Sequence, residues 1–248
     1  MVCGKMFLNK FEHILLIIYH IIMFSELLHL FFPRLCPACS SSLFKNEQII
    51  CFRCKNILPR TEFHLKPGNP LERVFWGRVP LKSAAACFIF RKEGGVQRLL
   101  HELKYNNAPE IGREIGRLYG RELVNSPSFY EADLIIPVPL HPKKLSIRGY
   151  NQSGVFGEGL QETLPARMNE DALVRNLNTG TQTRRSRFER WENVDSIFAV
   201  PNTELVRNKR ILLIDDVITT GATLESCAVN LFKAGATDIR VACIAAPI

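Results

Sequence analysis

The chain has 248 residues, enough for one compact core or for one domain with a small appendage. Its 46% hydrophobic and 23% charged residues exclude wholesale disorder, collagen-like sequence and low-complexity architecture. The net charge of +8 favours anionic partners such as phosphates, nucleic acid or an acidic membrane surface. Much of the excess lies within residues 175–190, in Arg175, Arg184, Arg185, Arg187 and Arg190.

The N-terminal segment, residues 1–30, is predicted to be an apolar to amphipathic leader. Residues 14–24, ILLIIYHIIMF, form an apolar run that is shorter than the about 20 residues a membrane-spanning helix needs. No small-residue cleavage site follows, so neither a secretory signal nor a stable membrane span is predicted. Residues 23–32 are predicted to form an amphipathic helix, and Met23 is an alternative translation start.

Two C-x-x-C pairs lie within residues 36–54, CPACSSSLFKNEQIICFRC: Cys36, Cys39, Cys51 and Cys54. Each two-residue gap lets two thiolates of one turn converge on a tetrahedral ion at about 2.3 Å. The spacing predicts a structural zinc ribbon or knuckle over residues 31–60, with the metal supplying its folding energy. Two disulfides or unliganded thiols are the alternatives. Without an export signal, a reducing, cytoplasmic location is predicted.

Prolines and glycines are frequent in residues 59–82, so a linker is predicted over 61–82. From residue 83 onward, short apolar runs alternate with amphipathic stretches. Strands are predicted over 84–90, 134–138, 210–214 and 239–245, and helices over 96–104, 110–124, 153–164 and 222–234. This alternation predicts an α/β domain over residues 83–248, with a parallel sheet covered on both faces.

The most informative segment is residues 211–223, ILLIDDVITTGAT. Four apolar residues predict a buried strand, and Asp215 and Asp216 stand at its end, where open α/β sheets bind ligands. The loop that follows leads into a helix whose free amides and positive dipole favour a phosphate. That places both carboxylates near the hydroxyls of a phosphorylated ribose, which they would bind directly or through Mg²⁺. A capped loop without a ligand is the structural alternative.

This strand, acidic pair and T-T-G-x-T loop resemble the fingerprint of type I phosphoribosyltransferases. Residues 134–152, LIIPVPLHPKKLSIRGYNQ, together with polar positions between Arg175 and Phe198, are similar to the ComF family. Proteins of that family are associated with competence and DNA uptake and carry a four-cysteine zinc module ahead of a transferase-like domain. The resemblance covers roughly residues 30–248. Arg185 and Tyr150 depart from the family pattern, which usually has Leu and Phe there.

The resemblance implies binding of 5-phosphoribosyl 1-diphosphate with Mg²⁺. In an active enzyme, a pentosyl-type glycosyltransferase of nucleotide metabolism, the phosphoribosyl group passes to an acceptor that the sequence does not identify. Asp215 and Asp216 would then hold the ribose. The 5-phosphate would lie on the loop of Thr219, Thr220, Gly221, Ala222 and Thr223. The diphosphate would lie near Val138, Pro139, Leu140, His141 and Lys104, under a flexible hood that includes Arg184 and Arg187.

The alternative is a non-catalytic factor that handles single-stranded DNA beside DNA-uptake proteins and keeps a vestigial or sensory phosphoribosyl pocket. Lys45, Arg53 and Lys55 of the zinc module, beside Phe44 and Phe52, suit single-strand contact through charge and stacking. In a third interpretation the zinc module serves only to dock another protein.

Overall fold

The structure, a computed structural model, describes residues 31–176 and 197–247. Its helices are α1 (Phe52–Ile57), α2 (Pro70–Phe75), α3 (Gly95–Tyr105), α4 (Pro109–Leu123), α5 (Pro127–Tyr130), α6 (Pro142–Arg148), α7 (Gln152–Gln161) and α8 (Ala222–Lys233). Its strands are β1 (Ser83–Phe90), β2 (Leu134–Pro137), β3 (Arg167–Met168), β4 (Val174–Arg175), β5 (Phe198–Ala199), β6 (Arg210–Val217) and β7 (Asp238–Pro247). Short 3-10 turns lie at Phe63–Leu65 and Thr203–Leu205.

Five strands form one parallel sheet in the order β1-β7-β6-β2-β3. The central strand β6 is apolar through Ile211–Ile214, whose side chains are all buried because both faces of the sheet are covered. Helices α3, α4 and α7 pack on one face, while α2 and α8 pack on the other. The predicted parallel α/β sheet is therefore confirmed.

Every strand and helix predicted between residues 84 and 245 is present, with ends that differ by a few residues. Strand β6 continues to Val217, so Asp215 and Asp216 lie within its last residues rather than after it. The basic segment after β2 forms helix α6, which the sequence analysis did not predict. Its signals are Pro142 in the first turn and Gly149 in a left-handed conformation at the end.

The segment predicted as a linker is packed against the sheet. Asn69 caps helix α2 by accepting hydrogen bonds from the backbone N–H groups of Leu71 and Glu72. Leu71 and Phe75 of this helix are buried in the core that covers one face of the sheet. An apolar spacing within a Pro-rich stretch was the missed signal. The domain boundaries themselves stay a prediction.

The four-cysteine module is docked on the α/β domain. Ile50 and Leu58 of the module share a hydrophobic core with Leu99 and Leu100 of α3. The Arg98 guanidinium Nε donates a hydrogen bond of 2.8 Å to the carbonyl of Ala38. Module and sheet are consequently joined by a packed interface.

Within the two described ranges, no helix is long and apolar enough to cross a membrane. The leader, the alternative start at Met23 and most of the predicted helix 23–32 lie outside those ranges. The cytoplasmic location stays a prediction.

Candidate functional site

The acidic pair lies at the carboxyl edge of the sheet and is held by two neighbours, Ser153 and Lys104, and by one hydrogen bond within the pair. The Ser153 hydroxyl donates to Asp215 Oδ1 at 2.9 Å, and the backbone N–H of Asp216 donates to the same oxygen at 2.8 Å. Burial, and then the adjacent Asp216 carboxylate, raise the pKa of Asp215 to about 7. Lys104 Nζ lies 2.8 Å from Asp216 Oδ2. The two carboxyl groups at this edge therefore differ: Asp215 has a raised pKa, and Asp216 is paired with a lysine.

Lys104 reaches the pair from the C-terminal end of α3, which belongs to a different part of the chain. The Tyr150 hydroxyl, at a position where the family usually has Phe, donates to the carbonyl of Leu103. Burial raises the pKa of Tyr150, so the hydroxyl remains a donor at neutral pH. This bond fixes the end of α3 against the start of α7, which carries Ser153.

The loop after β6 has the form of an anion site. Gly221 has a φ of +74°, a left-handed conformation that favours glycine, and it immediately precedes helix α8. Thr219, Thr220, Ala222 and Thr223 are exposed. Among the described residues, the backbone N–H groups of Thr220, Gly221 and Thr223 have no hydrogen-bond acceptor. Backbone donors without an acceptor and the positive end of a helix dipole are features that suit an anionic oxygen.

The turn of residues 138–141 lies beside the acidic pair because β2 is the neighbour of β6. Val138 N–H donates to the carbonyl of Ile214 at 2.9 Å, and Asn151 Nδ2 donates to the carbonyl of Val138 at 3.0 Å. Pro139 and Leu140 follow, half-buried, and His141 caps α6 by accepting a hydrogen bond from the Lys143 N–H at 3.2 Å. The predicted diphosphate turn and the acidic pair are therefore neighbours.

Two cavities of opposite charge flank α6. One, of about 380 Å³, is lined by Lys104, Lys144 and Arg148, and the Arg148 guanidinium lies 5.5 Å from the centre of the Tyr105 ring. The other, of about 460 Å³ on the β3 side, has three acidic residues and one basic residue in its lining: Glu158, Glu170, Asp171 and Arg175. Pro139 and Leu140 of the predicted diphosphate turn line this second cavity. Burial, with a smaller effect of the two neighbouring carboxylates, raises the pKa of Glu170. The basic cavity shares Lys104 with the acidic pair and is the one suited to a polyanion.

The four cysteines converge as predicted. Their sulfur atoms all lie within 4.8 Å of one another, and the Cys39 and Cys51 sulfurs are 3.7 Å apart. Two sulfurs on one tetrahedral zinc ion at about 2.3 Å would lie about 3.8 Å apart, whereas a disulfide needs about 2 Å. Backbone N–H groups of Cys51 and Cys54 donate to the sulfurs of Cys36 and Cys51, each at 3.4 Å. This donor set fits one tetrahedral metal ion.

Some predicted site residues lie outside the described part of the chain. Arg184 and Arg187 belong to residues 177–196, so their place in a hood stays a prediction. Strands β4 and β5, which flank that segment among the described residues, pair antiparallel. No role was predicted for Asn151, which lies within the motif RGYNQ, or for Ser153, which directly follows it. Polar residues at the start of a predicted helix were the available signal.

Comparison with known proteins agrees with this geometry. Residues 171–248 match the family model of the phosphoribosyl transferase domain. With the parallel sheet, this match defines a type I phosphoribosyltransferase fold preceded by a four-cysteine module.

Curated relatives identify the family. Competence protein ComFC of Bacillus subtilis is 33% identical over 211 residues, which are 78% of this chain and 82% of that protein. DNA utilization protein YhgH of Escherichia coli O6:H1 is 29% identical over 215 residues, 85% of this chain and 89% of that protein. The chain belongs to the ComF family of phosphoribosyltransferase-like proteins.

Among solved structures, the glutamine phosphoribosylpyrophosphate amidotransferase of B. subtilis is 22% identical, with a TM-score of 0.43. The match covers 58% of this chain and 30% of that chain.

Proposed function

We propose that the chain binds 5-phosphoribosyl 1-diphosphate with Mg²⁺ at the carboxyl edge of the sheet. The 5-phosphate would accept hydrogen bonds from the amides of residues 219–223, and the ribose hydroxyls would donate to Asp215 and Asp216. The observation that carries the proposal is the adjacency of the Lys104–Asp216 ion pair, at 2.8 Å, to a left-handed glycine loop at a helix start. Each part recognises one chemical group of that ligand.

The diphosphate would lie between the turn of residues 138–141 and the basic cavity. Lys104, Lys144 and Arg148 supply three cationic side chains to that cavity, and Lys104 is also the partner of Asp216. Mg²⁺ on the diphosphate would add positive charge against the same oxygens. A ligand with this charge would compete with Asp216 for Lys104. Binding of the ligand would therefore be coupled to opening of the Lys104–Asp216 ion pair.

Transfer, where an acceptor is present, would form a bond from the acceptor nucleophile to C1 of the ribose and break the bond from C1 to the diphosphate oxygen. The chain would contribute by positioning and by stabilising charge on the leaving diphosphate. Thr219 stands where relatives that act on 6-oxopurines have an acid, so a 6-oxopurine is not the acceptor we propose.

Isothermal titration calorimetry with 5-phosphoribosyl 1-diphosphate and Mg²⁺ tests the binding proposal. Wild type is expected to bind, and Asp216→Asn is expected to bind at least about tenfold more weakly, because a charge-assisted hydrogen bond is lost. Glu204→Gln is the matched control, since it removes one acidic charge at an exposed position away from the sheet edge. Absence of binding by wild type, or equal binding by both variants, would refute the proposed site.

A second candidate function, contact with single-stranded DNA in DNA uptake or utilisation, is favoured by one observation in the cysteine module. The two oxygens of Glu47 accept hydrogen bonds from the backbone N–H groups of Phe44, at 2.8 Å, and Phe52, at 2.5 Å. Phe44 and Phe52 are 78% and 72% exposed, and Arg53, which follows Phe52, is exposed as well. Lys55, in contrast, is paired with Glu114 at 2.5 Å, so we leave it out of this surface. The names of the relatives, which refer to competence and DNA utilisation, support this candidate.

Fluorescence anisotropy with a labelled oligothymidylate tests the second candidate. Replacing both Phe44 and Phe52 by Ala is expected to weaken binding by at least about tenfold, because each stacked base contributes roughly 1–3 kcal/mol. Ile57→Ala, another exposed apolar side chain of the module, is the control and should bind as wild type does. Unchanged affinity of the double variant would leave the module with a structural role, and the third interpretation, a protein dock, would take its place.

A further inference from the structure

The loop of residues 219–223, the phosphate loop, packs against the segment 61–82 that was predicted to be a linker. A Cβ atom on Gly221 would lie 2.9 Å from the Phe75 ring and 3.0 Å from Val74. Arg78, in the turn after α2, donates from one guanidinium nitrogen to the carbonyl of Thr220 at 3.0 Å and to that of Val74 at 3.1 Å. The other nitrogen is paired with Glu225 in the first turn of α8. One side chain therefore joins α2, the loop and the following helix.

The bond to the Thr220 carbonyl determines where the Gly221 N–H points. The peptide unit between Thr220 and Gly221 is planar and trans, so its C=O and N–H point in opposite directions. With the C=O held on the Arg78 side, the Gly221 N–H is directed to the opposite side. No described residue accepts a hydrogen bond from it there. This N–H is therefore presented away from the α2 segment.

The charge of Glu225 indicates the same role for Arg78. Glu225 lies in the first turn of α8, close to where an anion at the helix start would bind, and its carboxylate would repel that anion. Pairing with Arg78 neutralises it. Without Arg78, the loop would lose both the fixed orientation of one donor and the compensation of a nearby negative charge.

We propose that Arg78 is a positioning residue for the phosphate loop: it holds the peptide between Thr220 and Gly221 so that the Gly221 N–H faces the ligand phosphate, and it neutralises Glu225. This role rests on the proposed function, since it specifies how the same site recognises the 5-phosphate. It also gives the segment between module and sheet a part in ligand binding.

The test measures the affinity of the full chain for ribose 5-phosphate and, separately, for inorganic diphosphate. Arg78→Met is expected to weaken ribose 5-phosphate binding about tenfold and to leave diphosphate affinity within twofold, because that group binds at the other side of the acidic pair. Arg73→Met is the matched control: Arg73 lies on α2 and its Nε donates to the Gly68 carbonyl, away from the loop. It is expected to bind both ligands as wild type does.

Rescue separates positioning from loss of structure. Arg78→Lys keeps the charge and one donor, and Glu225→Gln in the Arg78→Met background removes the uncompensated carboxylate. Each of these variants is expected to bind ribose 5-phosphate at least threefold more tightly than Arg78→Met does. If wild type binds ribose 5-phosphate and Arg78→Met binds it equally, the positioning role is wrong while the proposed function stands. Equal loss of both ligands without rescue would also overturn the role, and failure of wild type to bind either ligand would overturn both proposals.

Discussion

The cysteine module and the sheet edge are built in opposite ways. The four metal-binding candidates come from 19 consecutive residues, 36–54, and their sulfurs converge through local turns. The acidic pair is instead completed by Lys104 from α3, Ser153 from α7 and, behind the loop, Arg78. A site made by one local segment can be predicted from spacing alone. A site made by several elements can be predicted only once the fold that brings those elements together is known.

Replacing one cysteine ligand should abolish zinc binding by the module. Cys54→Ser is expected to reduce zinc from one ion per chain to nearly none and to lower the melting temperature, because a structural zinc contributes on the order of 10 kcal/mol to such a module. The far-UV circular dichroism of the α/β domain should persist. Metal analysis and thermal melting check this. Cys227→Ser, a buried thiol outside the cluster, should keep its zinc. Zinc-free wild type with reduced thiols would contradict the prediction.

Substitutions at the sheet edge are expected to have smaller effects on stability than loss of a zinc ligand. The largest of these effects is expected in the loop of residues 219–223. Gly221→Ala is expected to destabilise the free protein by roughly 2–4 kcal/mol, since its left-handed φ of +74° disfavours a side chain and the new Cβ would contact Phe75. Urea unfolding measures this. Gly221 is predicted from the sequence to allow close approach of a ligand, and in the structure it also packs on α2. Unchanged stability would contradict this packing.

The raised pKa of Asp215 predicts a pH dependence of stability. The folded pKa of about 7 lies above the unfolded value near 4, so the native state holds the extra proton between these values. The stabilisation is complete below about pH 4 and is lost as the pH rises through 7. From pH 5 to pH 8, wild type should therefore lose about 2–3 kcal/mol relative to Asp215→Asn in urea unfolding. Parallel pH profiles of the two proteins would contradict the raised pKa.

The same contrast explains what the sequence predicted. Four strands and four helices after residue 83 follow from apolar periodicity, and Asp215, Asp216 and the T-T-G loop follow from their position at a strand end. The short elements, helix α6 among them, do not. Lys104 was associated with the site only through family resemblance, although the structure pairs it directly with Asp216. Arg78 had no signal, because its role depends on α2 folding back onto the loop, and proline and glycine content masked that helix.

The central claim is that one edge of the sheet recognises both ends of a phosphoribosyl diphosphate. The most direct measurement is phosphorus-31 NMR of 5-phosphoribosyl 1-diphosphate with Mg²⁺, in which the 5-phosphate and the diphosphate give separate resonances. Adding wild-type protein is expected to shift or broaden both sets, and adding Asp216→Asn should do so much less at the same concentration. Resonances that stay at their free positions with wild type, or that change equally with both proteins, would contradict the claim.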